Sequence, residues 1–487
     1  MSLKDAAAVI LLRHNTDPNN PEVFWVKRSD KLAFLGGFHA FAGGQLDEVD
    51  AEVTVANSPD AETSTMISAA ARELFEELGV LAVRGGEFLT KGQRASLLDD
   101  LESGRMSWPK LLEHYKLQLD AADFTYVGHW ITPPFSPRRF NTWFFLVNCP
   151  EKQEPAAISG EHASGEWISA QEAIARWQQN KVAMVPPTLH ALNTLAGGLS
   201  ADLVERFLSV PQAHAEIVRR IEFRPNYICF PVRTPTRPPA THTNCYLIYS
   251  SEEILVVDPG SPYEDEQQAL AAMIDELCAE GRKVREIIIT HLHPDHVGGV
   301  NALKSHLGNV SVAAHQETAN ALSDIAVDRL INDDDVITLQ GEPRISLRAL
   351  HTPGHARGHL CFHDQEHGIL LTGDNIIGLG SVLIDPPQGN MSEYLKSLER
   401  LRSIPGLTIL FGGHGPAMAS PYNKIDEYIN HRLEREAKIL LAFQSGIKEP
   451  AEIVASVYTD VSPKAHQMAE RAVIAHLEKL EVEGKLN

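Results

Sequence analysis

The chain has 487 residues, 43% hydrophobic and 22% charged, with a formal net charge of −21. This length exceeds one ordinary domain, and the composition excludes disordered and fibrous classes. The acidity argues against a non-specific polyanion binder such as a DNA-coating protein, which needs clustered Lys and Arg; a small anion held by a few local cations or metal ions remains compatible.

Residues 6–12, "AAAVILL", read as a buried strand, because they lack the basic start and the cleavage-like small residues of a secretion signal. No apolar run reaches the roughly 20 residues of a bilayer span, so no membrane association is expected. Cys149, Cys229, Cys245, Cys278 and Cys361 are scattered without a Cys-x-x-Cys pair. This usage points to a reducing, cytoplasmic compartment. Strands are expected at residues 22–27 and 143–147, alternating with helices.

The stretch 43–80 opens on Gly43 and Gly44 and closes on "RELFEELGV", residues 72–80. On a helix over residues 69–78, Glu73, Glu76 and Glu77 share one face, related by i,i+3 and i,i+4. Ala71, Leu74, Phe75 and Leu78 fall on the opposite face, and Arg72 is one turn from Glu76. Three crowded carboxylates repel unless a cation neutralises them, and hard oxygen ligands suit Mg²⁺ or Mn²⁺. A solvated amphipathic helix is the alternative reading of the same residues.

Residues 72–80 resemble the end of the Nudix box, and Gly44 with Asp50 resembles its start, with Asp50 in place of the usual Glu. The Ser/Thr/Ala-rich residues between them resemble an insertion familiar in the coenzyme A diphosphatase branch of that family. Residues 52–62 are therefore expected to form a dispensable surface loop. "KRSDKLAFLGGFHAFAGG", residues 27–44, resembles the coenzyme A signature at Arg28, Ser29, Gly37, Phe41, Gly43 and Gly44. Ala33 replaces its Arg and Ala42 its Pro. The resemblance covers residues 5–190 and implies an α/β/α sandwich with a mixed sheet. It implies that Glu76, Glu77 and the Gly43 carbonyl bind metal. Glu73 would be ligand or base, Glu77 would be catalytic, and Glu161 would be a further ligand. Arg28, Gly43 and Gly44 would contact the bound coenzyme.

Residues 224–240, "RPNYICFPVRTPTRPPA", crowd proline with arginine and read as an extended spacer. The expected organisation is a domain at 1–220, a linker at 221–240, a second domain at 241–420 and a helical appendage at 421–487. "YLIYSSEEILVVDPG" reads as two strands around a turn, and "EIIITH" as a short buried strand.

That strand runs into His291, His293, Asp295 and His296 within six residues. Three histidines and an aspartate at a strand end converge on metal far better than on a packed core. The motif resembles the signature of the metallo-β-lactamase superfamily, which implies an αββα sandwich. The resemblance assigns His291, His293 and His355 to one metal and Asp295, His296 and His414 to the other, with Asp374 bridging. Imidazole with carboxylate fits two Zn²⁺ best, with Mn²⁺ or Fe as alternatives. Asp295 and His359 are the expected catalytic groups; His351 and His363 are expected to be surface or supporting residues, a reading that stays open for His359 too.

"THTNCYLI", "HTPGH" and the helical tail resemble lactamase-beta-like-2 proteins, across residues 228–487. Relatives of that group include carrier-protein thioesterases. The expected whole is an α/β, bifunctional metal-dependent hydrolase with a small-molecule substrate: a coenzyme A-like diphosphate for the first half, an ester or thioester for the second. Two other readings stay open: a single-stranded-RNA endoribonuclease in the second half, or a ligand-sensing first half without catalysis.

Overall fold

Residues 6–12 lie within β1 (Lys4–Leu12), whose last seven positions are all buried in the computed structural model. An unbroken apolar run belongs in the middle of a sheet. Accordingly β1 pairs in parallel with β6 (Phe140–Asn148) and antiparallel with β2 (Glu22–Arg28) and β4 (Ala42–Gln45). With β3 (His39–Ala40), β5 (Thr125–Ile131) and β7 (His162–Ser169) this makes a seven-stranded mixed sheet. The structure describes residues 3–32, 34–136, 138–308, 310–459, 462 and 465–486. The substitution at Ala33 lies outside them. The chain divides into two compact units, Met1–Pro225 and Asn226–Asn487.

In the first unit, α1 (Ala61–Leu78) starts at Asp60, whose side chain accepts from Thr63 N at 2.7 Å, and ends at Gly79 with φ 67°. Both are standard helix boundaries. Leu74, Phe75 and Leu78 pack into the core against Val9, Leu11 and Val26 of the sheet. The acidic face therefore looks back at β4.

Residues 52–62 are not a dispensable loop. Val55 is buried in the core, Ala56 exchanges backbone hydrogen bonds with Leu119 and Ala121, and Asn57 donates to both oxygens of Asp120. The segment's composition suggested solvent, but its two valines have apolar partners and its last polar residues start α1.

The second unit contains two sheets. In one, the strands follow the spatial order Arg329–Leu330, Ser311–Ala314, Lys283–Ile288, Glu253–Val257, His242–Tyr249 and Tyr227–Arg233. In the other, the order is Val336–Thr338, Ser346–His351, Leu360–Asp364, Ile369–Gly373 and Ile409–Gly412. The sheets meet where Tyr246 stacks on Phe411 at 5.5 Å and Tyr227 Oη donates to Asp364. Helix Glu264–Ala279 covers the first sheet through Leu270, Ile274 and Leu277; helix Met391–Arg402 covers the second through Tyr394, Leu398 and Leu401. The result is an αββα sandwich.

The proline-rich spacer expected at 221–240 is corrected at Tyr227–Arg233, a strand paired antiparallel with His242–Tyr249. Proline within a strand is tolerated where no ladder hydrogen bond needs its missing N–H. Asn244, opposite Pro231, sends its own amide to Gly413 O instead.

Helices Pro421–Gln444, Pro450–Val457 and His466–Val482 form the tail, around a core containing Ile439, Ile453, Val473 and Leu480. All five cysteines are free thiols. Among the described residues no helix is long and apolar enough to cross a membrane.

Asp60→Ala should cost about 1 kcal/mol by loss of the cap. Deleting residues 52–62 should cost more, because it also removes the buried Val55. Urea unfolding of both variants measures this; wild-type stability in the deletion would return the segment to a surface loop.

Candidate metal centres

In the second unit a buried strand end carries the first ligands. Lys283–Ile288 stops just before Thr290, whose amide donates to Asp258 Oδ1 at 2.8 Å and whose hydroxyl donates to Asp258 Oδ2 at 2.6 Å. The same Oδ2 lies 2.8 Å from His296 Nδ1. One carboxylate thus holds both the strand exit and the first turn after it. Asp258 itself has φ 52°, a left-handed conformation uncommon for a non-glycine residue.

The expected ligands converge. His293 Nδ1 is 2.9 Å from both His291 Nε2 and His355 Nε2. The donor atoms of His291, His293 and His355 all lie within 4.8 Å of one another, as do those of Asp295, His296 and His414. Asp374 lies between the groups: Oδ1 is 3.4 Å from His296 Nε2, and Oδ2 is 3.2 Å from His414 Nε2 and 3.8 Å from His355 Nε2. Gly413 permits this closeness, since a Cβ there would sit 2.4 Å from Asp374 Oδ1 and 2.7 Å from His296 Cε1.

The donor set fits divalent metal ions. His296 Nε2 and Asp374 Oδ1 are buried without a hydrogen-bond partner, which a polar interior rarely tolerates. The opposite ring nitrogens are engaged: His355 Nδ1 with Leu383 O at 2.9 Å, and His414 Nδ1 with His242 O at 2.8 Å. Such contacts select the tautomer that leaves Nε2 free for a metal.

Electrostatics separates the imidazoles into two kinds. Burial, reinforced by neighbouring imidazoles, pushes His291 well down and His293 to about 3. Burial also lowers His355. Burial acts the same way on His414, yet Asp374 and Asp295 raise it to about 10. His296 is likewise raised, against burial, by Asp374 and Asp258.

His359 requires a correction. It is fully buried; its Nε2 receives the Asp374 amide at 3.1 Å and its Nδ1 meets Thr352 Oγ1 at 2.9 Å. With both nitrogens engaged it positions the Asp374 backbone, and its ring packs 5.2 Å from that of His291. The segment is a turn entering strand Leu360–Asp364, which points the ring at the Asp374 amide. His351 contacts Arg357 O at 2.8 Å and stacks on His315. Sequence reasoning missed Asp258; its available signal was an aspartate ending an apolar strand in "LVVDPG".

The tail supports the loop that orients His355. Arg432 donates to Val382 O, Tyr428 Oη donates to Gly380 O, and Arg471 Nε donates to Asp385 Oδ1 at 2.6 Å. Leu383, whose carbonyl orients His355, sits between these anchors.

In the first unit the acidic face of α1 is organised by Arg72. Its guanidinium binds Asp50 through two hydrogen bonds of 3.0 and 2.8 Å, Glu73 at 2.8 Å, Glu76 at 2.9 Å and Gln45 O at 3.1 Å. Asp50 is fully buried and also accepts from Asp47 N, so it anchors Arg72. A Cβ on Gly44 would lie 2.4 Å from Glu73 Oε2, so any other residue there would displace that carboxylate. Burial raises Glu73 to about 7, Glu77 and Glu76 add to the rise, and Arg72 opposes it.

Glu77 is buried, not on a solvated face, and its Oε2 accepts from the amide of Gly43 at 2.8 Å. Glu161 is exposed, and its carbonyl accepts from Ser29 N at 2.7 Å. The charges of Glu161 and Glu77 both act on half-buried Arg28. Beside Glu161, the ring of His162 turns inward, with Nε2 3.1 Å from Glu77 Oε2. Among the described residues, the groups of three donor atoms within 4.8 Å all lie in the second unit. Glu73, Glu76 and Glu77 do not form one, because Arg72 holds two of them and Gly43 the third.

Residues 238–414 match the family described as the metallo-beta-lactamase superfamily, and residues 450–487 match the beta-lactamase associated winged helix domain. A beta-lactamase-like protein 2 homolog of Drosophila melanogaster is 34% identical over 258 residues, covering 50% of this chain and 84% of that protein. An atrochrysone carboxyl ACP thioesterase of Aspergillus chevalieri is 31% identical over 252 residues, covering 48% of this chain and 75% of that protein. Among solved structures, a NUDIX hydrolase from Alicyclobacillus acidocaldarius is 29% identical with a TM-score of 0.36, covering 42% of this chain and 95% of that one.

Raised groups are protonated below their pKa, so His296 and His414 carry protons at neutral pH that a metal must displace. Loading the metal-free protein at pH 7 should release about two protons from these groups, with affinity rising toward pH 10. Calorimetry in buffers of different ionisation enthalpy measures the release; none from the histidines would refute the assignment. Arg471→Ala should leave the fold intact but speed metal loss to a chelator by about tenfold, through the loosened Leu383 loop. Unchanged loss would remove the tail from that role.

Proposed function

The chain belongs to the metallo-β-lactamase superfamily, and from that membership we propose a metal-dependent hydrolase acting on a thioester in its second unit. The carrying observation is the convergence of His291, His293, His355, Asp374, Asp295, His296 and His414 around two partnerless buried atoms. His291, His293 and His355 would hold one ion, and Asp295, His296 and His414 the other, with Asp374 shared. Zn²⁺ suits such nitrogen-rich sets, with Mn²⁺ or Fe as alternatives. When bound, such ions polarise a carbonyl and lower the pKa of water.

The chain's residues do the rest. Asp374 keeps its carboxylate between the two groups because His359 fixes its backbone amide. Asp258 orients His296, and Leu383 and His242 orient His355 and His414. Asp295, whose side chain is slightly more exposed than that of Asp374, orients the attacking water. The thioester class is supported by the named thioesterase among its relatives.

We propose in addition that the first unit is a Nudix domain cleaving a diphosphate of coenzyme A or a related nucleotide. Its support is the Gly44–Glu73 approach and a carboxylate face that favours a divalent cation. Glu73 raised to about 7 is suited to take a proton from water near neutral pH. Arg28 would meet the anionic substrate. The domains read from sequence, 1–220 and 241–420 with the tail at 421–487, are the proposed functional divisions.

Mass spectrometry of the intact protein against acyl-CoA and acyl-carrier thioesters, nucleoside diphosphate derivatives and short RNA tests both proposals. Asp374→Ala should lower thioester hydrolysis by at least about 100-fold and leave diphosphate cleavage unchanged. Glu77→Gln, which keeps an acceptor for the Gly43 amide, should do the reverse. RNA cleavage abolished by Asp295→Ala, without thioester turnover, would replace the thioester reading.

A further inference from the structure

β7 pairs with β2 so that His162 lies opposite Arg28, after a register shift at Lys27 and Arg28. This places the His162 side chain inside the first unit, 1% exposed and 3.1 Å from Glu77 Oε2. Both ring nitrogens of His162 are buried without a hydrogen-bond partner. The contact with Glu77 has the distance of a hydrogen bond but not its geometry. That Oε2 already accepts from Gly43 N at 2.8 Å. A buried polar group left unpaired costs about 1–3 kcal/mol, so an imidazole with two such nitrogens calls for a missing partner.

The partner's chemistry follows from what surrounds the ring. An anion is disfavoured beside the carboxylate of Glu77. A cation accepts a lone pair from both groups. Two donors at adjacent corners of an octahedral ion, each about 2.1 Å from it, lie about 3 Å apart. Glu73 and Glu76 are each engaged with Arg72, which leaves Glu77 and His162 as the pair turned toward one another.

We propose that His162 supplies an imidazole nitrogen to a divalent ion held by Glu77, making the first unit's centre selective for a transition metal over Mg²⁺. The inference rests on the reading of Glu77 as a metal ligand. Mg²⁺ takes oxygen ligands and keeps its waters, whereas imidazole suits Mn²⁺, Co²⁺ and Zn²⁺. The Glu161 position read from sequence is one residue away, and adjacent side chains of an extended chain point to opposite faces.

The test uses the full chain with the second unit's centre filled by Zn²⁺, so that added Mn²⁺ reports on the first unit. Pulsed electron paramagnetic resonance should show a directly bound ¹⁴N in the wild type and none in His162→Ala. Mn²⁺ affinity should fall by about tenfold or more in that variant, with Mg²⁺ affinity within about twofold. Bound Mn²⁺ without a ¹⁴N coupling in the wild type, or unchanged Mn²⁺ affinity in His162→Ala, would overturn the proposal. Should His162→Ala not fold, His162→Asn takes its place, and the wild-type spectrum still decides. Glu77→Gln separates the two levels: wild-type Mn²⁺ binding there refutes Glu77 as a ligand, whereas loss there with no effect at His162 refutes His162 alone.

Discussion

The buried carboxylate of Asp258 is the interaction on which the second unit's centre is built. It accepts from the Thr290 amide and hydroxyl and meets His296 Nδ1. Strand Glu253–Val257 lies beside Lys283–Ile288, so a residue just past the end of one can reach the exit of the other. The left-handed backbone at Asp258 stores strain of about 1–3 kcal/mol, which persists only where surrounding contacts enforce it. Those contacts include three that orient the ligand-bearing turn.

Burial then assigns the histidines different tasks. Desolvation keeps His291, His293 and His355 neutral, in the form that binds metal. Carboxylates keep His296 and His414 charged until an ion replaces the proton. Without metal, Asp374 is therefore balanced by imidazolium, and the centre avoids unpaired buried charge. The tail contributes by bracing the loop around Leu383, far from the ligands in sequence.

The first unit solves a similar crowding problem with a fixed cation. Arg72 binds Asp50, Glu73 and Glu76 at once, and buried Asp50, itself held by the Asp47 amide and the Ser68 hydroxyl, fixes it in place. This arrangement spares one carboxylate, Glu77, which turns away from Arg72 toward Gly43 and His162. The first unit's acidic face is thus partly neutralised from within, by Arg72, where the second unit's carboxylates face imidazoles.

Local sequence determined much of this protein. The strand at 6–12, the acidic and apolar faces of α1, the antiparallel pair around residue 251 and the clustered ligands at 291–296 all follow from periodicity over a few residues. His355, Asp374 and His414 were legible too, but through resemblance, since no spacing rule links ligands so far apart. Tertiary structure alone decided the rest. It made residues 52–62 part of the core, because Val55 and Asn57 find partners near residue 120. It drew Tyr227–Arg233 into a sheet despite Pro231, because the opposing Asn244 turns its amide away to Gly413 O, so the pair needs no N–H from proline. It set His359 to support the Asp374 backbone, brought in Asp258 through hydrogen bonds to a neighbouring strand exit, and turned His162 inward through the pairing of β7 with β2. Periodicity records which face a side chain takes; only the folded chain decides which group waits on that face to meet it.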